Sequence, residues 1–82
     1  MAQNLPLELM AHLARGLVDH PDRVDLVAIE EPAHMLLELR VHPDDLGKVI
    51  GRRGTTARAL RTVLAAAAAR IRRKVVLNIV ED

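Results

Sequence analysis

Residues 46–61 of the 82-residue chain read LGKVIGRRGTTARALR. The apolar residues before Gly51 have the spacing of a short helix, and this glycine is expected to end it. After Gly54 the apolar positions step by three and four residues, which predicts a longer helix. Thr55 or Thr56 is expected to cap that helix. The stretch therefore predicts two helices joined by a four-residue glycine loop.

The composition of this loop is typical of a phosphate-binding element. Gly51 and Gly54 permit backbone conformations that other residues rarely adopt, and they lack the Cβ atoms that would keep a sugar-phosphate chain away. The first amides of the next helix carry the positive end of its dipole, and Arg52 and Arg53 add two permanent charges. Two glycines at this spacing arise often by chance, so their position between two helices carries the prediction.

Helical and strand periods elsewhere in the chain predict a small α+β fold. Residues 24–29 and the alternating residues 35–41 predict an antiparallel hairpin, and residues 75–80 predict a last strand, parallel to the second. The predicted order is α-β-β-α-α-β, with a three-stranded mixed sheet covered on one face by three helices. The expected buried stripe of the first helix consists of leucines at every fourth position and the apolar residues that flank them: Leu9, Leu13 and Leu17, with Met10, Ala14 and Val18.

Length and composition predict one domain that spans residues 1–82. The chain has no cysteine, so neither a disulfide nor a thiolate zinc site supports it. It also has no Phe, Trp or Tyr, which excludes single-strand binders that stack bases on aromatic rings. No apolar stretch is long enough to span a bilayer, and residues 1–6 do not resemble a signal peptide, so a cytoplasmic protein is expected.

Charge divides the chain into an acidic and a basic part, although its net charge is only +1. Residues 1–46 contain three basic and nine acidic side chains, a net charge of −6. Residues 47–74 contain nine basic side chains and no acidic one, a net charge of +9. A solvated helix usually mixes both signs, so this division favours a polyanion-binding face on an acidic body.

The residues around the loop belong to a longer pattern. An apolar pair precedes the GRRG loop, and an apolar residue follows it by six positions. Further characteristic segments are residues 17–22 (LVDHPD), 37–41 (LELRV), 45–51 (DLGKVIG) and the alanine-rich residues 65–69. Together these segments resemble the small bacterial single-KH-domain proteins of the KhpA type (YlqC-like). The resemblance covers nearly the whole chain and implies a type II KH fold.

This resemblance implies a cytoplasmic protein that binds single-stranded RNA, as an RNA chaperone or post-transcriptional regulator. It also implies a homodimer, or a pair with a larger partner of the KhpB type that has its own KH domain. Members of the family are linked to cell elongation, cell shape and cell-wall homeostasis. Neither membrane association nor an enzymatic activity is implied, and no cofactor is expected.

Position by position, the resemblance implies an RNA groove between residues 48–54 and the sheet that grips about four nucleotides. Apolar surface for the bases would come from four residues of the two helices: Val49, Ile50, Ala57 and Leu60. Residues 70–74 would form an opposite basic lip, unless the arginines among them merely cap the long helix. The candidate RNA-binding residues are Lys48, Val49, Ile50, Gly51, Arg52, Arg53, Gly54, Thr55, Arg58, Arg61, Arg73 and Lys74.

The histidines and carboxylates predict neither a metal site nor a catalytic centre. The four histidines lie on separate predicted elements with no pair four residues apart: His12, His20, His34 and His42. His20 and His42 each precede a proline and are expected in turns. Asp44 and Asp45 are expected to place negative charge at a helix start.

Three other functions compete with single-stranded RNA binding. A P-loop nucleotide site requires a wider glycine spacing followed by a lysine, and the loop has neither. A helix-turn-helix DNA reader shares the arrangement of residues 45–61, but the second helix offers mostly alanine and leucine and is framed by strands. An interaction module that docks an acidic partner and dimerises through the alanine-rich helix is the third alternative, and it does not exclude RNA binding.

Overall fold

The structure is a computed structural model that describes residues 5–81. It has helices α1 (Leu5–Leu17), α2 (Leu46–Ile50) and α3 (Thr55–Arg70), and strands β1 (Asp25–Glu30), β2 (Met35–Arg40) and β3 (Val75–Ile79). The predicted α-β-β-α-α-β order is confirmed. None of the described helices is long and apolar enough to cross a membrane. The ends of the predicted domain, residues 1–4 and 82, lie outside the described residues.

The three strands form one mixed sheet in the order β1-β2-β3. β1 runs antiparallel to β2, with Asp25 opposite Arg40. β2 runs parallel to β3, with Leu37 opposite Leu77. The chain between β2 and β3 contains α2 and α3, so a crossover through two helices produces the predicted parallel pair. β3, which follows the basic segment, is therefore an edge strand.

Alternation along β2 explains which face of the sheet the helices cover. Met35, Leu37 and Leu39 are buried, whereas the residues between them are only partly buried. Leu60 and Leu64 of α3 belong to the same core cluster, which is built from aliphatic side chains and methionine. One layer of helices thus packs on one face of a three-stranded sheet, as expected of a type II KH fold.

The predicted buried stripe of α1 is confirmed in part, because its flanking residues are buried more deeply than its leucines. Met10 and Ala14 lie at the centre of the buried face, whereas Leu9 and Leu13 are only partly buried and Leu17 is 40% exposed. Both rows repeat every four residues, and hydrophobicity alone favours the leucines. The core instead takes in the row of Met10 and Ala14, and Leu13 and Leu17 lie beside α3 at the edge of the helical layer.

Candidate nucleic-acid interface

The loop 51–54 is a tight turn that requires glycine at two positions. Gly51 and Gly54 have φ angles of 77° and 75°, which other residues adopt only at a cost. A Cβ atom at Gly51 would also lie 2.7 Å from the backbone nitrogen of Thr56. At Gly54 the nearest atom, on Arg58, would be 3.5 Å away. Gly51 is therefore required by space and conformation, and Gly54 by conformation alone.

The N-terminus of α3 differs from the prediction that a threonine caps it. Gly54 is the N-cap residue, and no side chain of the described residues caps the helix. Thr55 is already helical, and its hydroxyl donates a hydrogen bond to the Arg52 carbonyl (2.9 Å). The capping prediction is wrong because the left-handed conformation of Gly54 leads directly into α3. The amide of Thr55 donates to the Arg52 carbonyl, so it is the positive end of the α3 dipole that suits an anionic ligand here.

Three arginines surround this turn. Arg52 and Arg53 are exposed on the loop itself. Arg53 has a φ angle of 55°, and its carbonyl accepts a hydrogen bond from Nη1 of Arg58 (2.9 Å). Arg58 thus braces the loop from the first turn of α3. Three guanidinium groups beside the positive end of the α3 dipole make this end of α3 strongly attractive to anions.

A groove of about 300 Å³ starts at the loop and lies between α3 and the β3 edge of the sheet. Its surface combines aliphatic side chains with arginines, one amide and one carboxylate. The guanidinium of Arg61 lies in this groove, with Nε and Nη2 each 3.4 Å from the carbonyl oxygen of Leu77 in β3. The lining residues are Ile50, Gly54, Ala57, Arg58, Arg61, Asn78, Ile79 and Glu81.

The apolar residues that the sequence assigns to base contacts separate into two pairs. Ile50 and Ala57 line the groove. Val49 and Leu60 are buried in the core, with exposed fractions of 0% and 5%. Ile79 of β3 supplies further aliphatic surface to the groove, and sequence reasoning missed it because its position follows from the parallel pairing of β3.

Lys48 does not line the groove. Its ammonium nitrogen lies 3.1 Å from Oδ2 of Asp19 and 3.5 Å from Oδ1 of Asp45. The hydrogen bond to Asp19 and the charge of that carboxylate raise the pKa of Lys48. In this structure the lysine therefore links α2 to the segment that follows α1.

Arg73 and Lys74 lie at the end of α3 that is remote from the loop. α3 has 16 residues, so the two ends are about 24 Å apart. Arg73 forms an ion pair with Glu30 at the end of β1, and the backbone carbonyl of Lys74 accepts a hydrogen bond from Met35 (2.9 Å). The structure does not bring the predicted basic lip to the groove, and residues 78–81 occupy that side instead.

The C-terminus of α3 is closed by backbone hydrogen bonds. The amide of Arg72 donates to Ala69 (3.2 Å), and the amide of Arg73 donates to Ala68 (3.1 Å). Arg72 has a φ angle of 55°, in a position where helices usually carry glycine. The backbone closes this helix end, and the side chains of Arg70 and Arg72 are exposed.

A buried carboxylate positions the two-helix unit. Asp45 has no exposed surface, and it accepts hydrogen bonds from the backbone amides of Asp19 (3.2 Å) and His20 (3.0 Å). The Nδ1 atom of the His20 ring lies 2.9 Å from Oδ2 and is the donor, because an ionised carboxylate only accepts. Burial raises the pKa of Asp45, but the hydrogen bonds from His20 and Asp19 outweigh it and lower the pKa to about 2.

Two histidine rings stack beside this carboxylate. The ring centroids of His20 and His42 are 4.1 Å apart, and the ring planes differ by 14°. Nδ1 of His42 accepts a hydrogen bond from the amide of Asp44 (3.1 Å). The stacked rings and Asp45 therefore join the segment after α1 to the segment before α2. This contact fixes the position of α2 and so of the loop 51–54 that follows it.

Two copies of one tripeptide contain or directly precede the residues of this contact, here called the anchor region: His20, His42 and Asp45. His-Pro-Asp occurs at residues 20–22 and again at 42–44. Both copies start single 3-10 turns, at Pro21–Arg23 and Pro43–Asp45, which confirms the turn prediction for the two histidines. Helix-start charge does not account for Asp45, whose carboxylate bonds to the other turn. Among residues 5–81, no group of three potential ligands could hold a metal ion.

Comparisons with known proteins give one consistent result. The family model described as KhpA/KhpB, KH domain, matches residues 8–79. The RNA-binding protein KhpA of Halalkalibacterium halodurans is 49% identical over 73 residues, which cover 89% of this chain and 96% of that protein. The proteins of that name from Streptomyces coelicolor (58% over 59 residues, 72% and 75% covered) and Borreliella burgdorferi (48% over 75 residues, 92% of each covered) are also similar. No solved structure gives a significant match.

Proposed function

Since the chain belongs to the KhpA/KhpB family of KH domains, we propose that it acts as a single KH domain that binds single-stranded RNA in the groove beside α3. One observation carries this proposal. The loop 51–54, the N-terminus of α3 and three arginines lie together at one end of a groove whose remaining surface combines aliphatic and polar side chains. Such a site suits a phosphate at one end and unpaired bases along its length.

The proposed binding mode assigns different tasks to the loop and to the groove. Arg52, Arg53 and the first amides of α3 hold the sugar-phosphate backbone, as does Arg58. About four nucleotides follow the groove, with their bases against Ile50 and the surface around it. A duplex keeps its bases stacked inside, so this mode favours single strands.

The test reverses the charge of the loop through Arg52→Asp combined with Arg53→Asp. We expect a native circular dichroism spectrum, because Asp tolerates the left-handed conformation at position 53, and loss of binding to an octameric single-stranded RNA. A matched control changes the same total charge away from the groove, through Arg15→Asp with Arg23→Asp. Retained affinity in the loop variant, or equal losses in both variants, would reject the loop as the binding site.

A helix-turn-helix DNA reader stays the principal rival for the same two helices. Competition between single-stranded RNA and duplex DNA for the intact chain separates the two functions. We expect the single strand to displace the duplex, and tighter duplex binding would overturn the proposal. From RNA binding we further propose a cytoplasmic role in RNA chaperoning or post-transcriptional regulation, and through it in cell elongation and cell-wall homeostasis. A strand-annealing assay tests the first of these roles.

We also propose that the chain forms a homodimer or pairs with a larger KH-containing protein of the KhpB type. An apolar cavity of about 420 Å³ lies between α1 and α3, and Leu17 and Val63 beside it are each 40% exposed. A second domain would add affinity through effective concentration. Light scattering after size exclusion tests this with Val63→Asp, and Thr62→Asp on the same helix is the control. A monomeric wild-type chain would reject the homodimer and leave only the pairing with a larger KH-containing protein.

A further inference from the structure

The guanidinium of Arg61 is held in the middle of the proposed RNA groove by a backbone oxygen. Its Nε and Nη2 atoms both lie 3.4 Å from the carbonyl oxygen of Leu77. These contacts use N–H groups at the edge of the planar guanidinium, so the two faces of the plane make no hydrogen bond. The side chain is therefore tethered across the gap between α3 and β3 with its faces available for stacking.

The described residues that line the groove include no aromatic ring on which a base can stack. The chain contains no Phe, Trp or Tyr, and none of its histidines lines the groove. His20 and His42 already stack on each other. Besides Arg61, the described lining residues with a planar group are Asn78, Glu81 and Arg58. The guanidinium of Arg58 lies at the loop end of the groove, where it donates to the Arg53 carbonyl, and the side chains of Asn78 and Glu81 have smaller planes than a guanidinium.

We propose that Arg61 is the stacking platform for one nucleobase of the bound strand, in place of the aromatic residue that single-strand binders commonly use. Guanidinium planes stack on bases in RNA-binding proteins in the same way as aromatic rings. Ile50, Ala57 and Ile79 line the same groove and supply aliphatic contact around the base. A purine has the larger ring system, so this position prefers adenine or guanine to a pyrimidine. The inference rests on the proposed RNA-binding function.

Stacking on a base requires a planar side chain, whereas binding of a phosphate requires only a positive charge. A lysine replaces an arginine as a point charge for a phosphate, but it has no planar group to cover a base. Arg61→Lys keeps the charge and a donor for the Leu77 carbonyl, so it should keep the fold. Arg61→Tyr removes the charge but restores a planar ring. The two variants therefore separate stacking from electrostatic attraction.

The experiment measures affinity for uridine hexamers in which each position in turn carries adenosine or an abasic site, by fluorescence anisotropy. For the wild type, one position should bind adenosine about tenfold more tightly than the abasic site. Arg61→Lys should abolish that difference, whereas Arg61→Tyr should retain it. Arg70→Lys is the matched control on the same helix and should leave the difference unchanged, because Arg70 is exposed and does not line the groove.

The outcomes separate the two proposals. A wild-type chain that binds none of the hexamers would reject RNA binding and the stacking role together. Wild-type binding with the same adenosine preference in Arg61→Lys would overturn the stacking role alone. Thermal melting by circular dichroism accompanies each variant. If Arg61→Lys is unfolded, the loss of adenosine preference in a folded Arg61→Met variant, with retention in Arg61→Tyr, decides the question.

Discussion

Two groups of cations in the basic segment, residues 47–74, differ in the groups that surround them. Lys48 and Arg73, here called the paired cations, form ion pairs with Asp19 and Glu30 of the acidic part. The second group, here called the groove cations, has no carboxylate partner among residues 5–81: Arg52, Arg53, Arg58 and Arg61. Arg58 and Arg61 donate to backbone carbonyls.

This difference determines which charges are available to a polyanion. A carboxylate neutralises a guanidinium or ammonium group and competes with phosphate for it. A backbone carbonyl holds the side chain in place but leaves its full charge. The net charge of +9 in residues 47–74 therefore overstates the charge available to a polyanion. Four of the remaining cations lie on the loop 51–54 and the first half of α3, whereas Arg70, Arg72 and Lys74 lie at the remote end of that helix.

Deformation of the loop 51–54 should have the largest effect on the groove cations, because this loop holds two of them and contacts a third. Gly51→Ala should lower the free energy of unfolding by about 3 kcal/mol, because the new Cβ combines a strained φ angle with a clash against Thr56. Gly54→Ala is the control, with a cost of about 1 kcal/mol from its φ angle alone. Urea denaturation measures both, and equal losses would contradict the described packing of Gly51.

Acid should weaken the anchor region while the groove cations keep their charge. The pKa of Asp45 is lowered to about 2 from a usual 3.8, so the ionised carboxylate stabilises the fold above pH 4. That stabilisation is lost as the pH falls from about 4 to about 2. Asp45→Asn should lose stability at neutral pH and flatten this part of the pH profile.

The control for the acid experiment is Asp44→Asn, whose side chain is 79% exposed. Its profile of unfolding free energy against pH should follow the wild type between pH 5 and pH 2. Chemical denaturation at fixed pH values measures the three proteins. A wild-type slope in Asp45→Asn would show that other carboxylates are responsible for the acid sensitivity.

The fold was predictable because local signals agree with one another. Period-two alternation identified β2, the glycine spacing separated α2 from α3, and the crossover rule placed β3 beside β2. The sequence did not show which of the two adjacent apolar rows of α1 is buried more deeply, because both repeat every four positions and only packing in the core selects Met10 and Ala14.

The prediction of site residues succeeded where the residues are close together in sequence. It failed where their position depends on tertiary contacts. The loop and Arg58 follow one another along the chain, and the structure brings them together. Lys48 and Arg73 also lie in the basic segment of the sequence, but both form ion pairs with carboxylates from distant segments. Charge counted along a chain does not show which cation meets which anion. Residues 78–81 reach the groove for a similar reason, since strand pairing alone places them there.

Neutralisation of one cation from each group tests whether the groove cations contact RNA phosphates and the paired cations do not. Arg58→Gln should weaken binding of single-stranded RNA several-fold and reduce the slope of log K against log salt by about 0.7, as expected for one lost phosphate contact. Lys48→Gln removes the same charge from a paired cation and should leave the slope unchanged. Titrations at several salt concentrations measure both, and an equal drop in slope for Lys48→Gln would remove the distinction between the groups.

The smallest expected effect concerns Glu81, the one carboxylate among the described groove-lining residues. Its negative charge opposes the phosphates that the groove cations attract. Glu81→Gln should therefore raise RNA affinity about twofold at low salt, and the gain should shrink as salt screens the exposed charge. Glu31→Gln makes the same charge change in the β1–β2 turn and should have no effect. Weaker binding in Glu81→Gln would instead indicate that the carboxylate accepts a hydrogen bond from a base, and that residues 78–81 contact the bases directly.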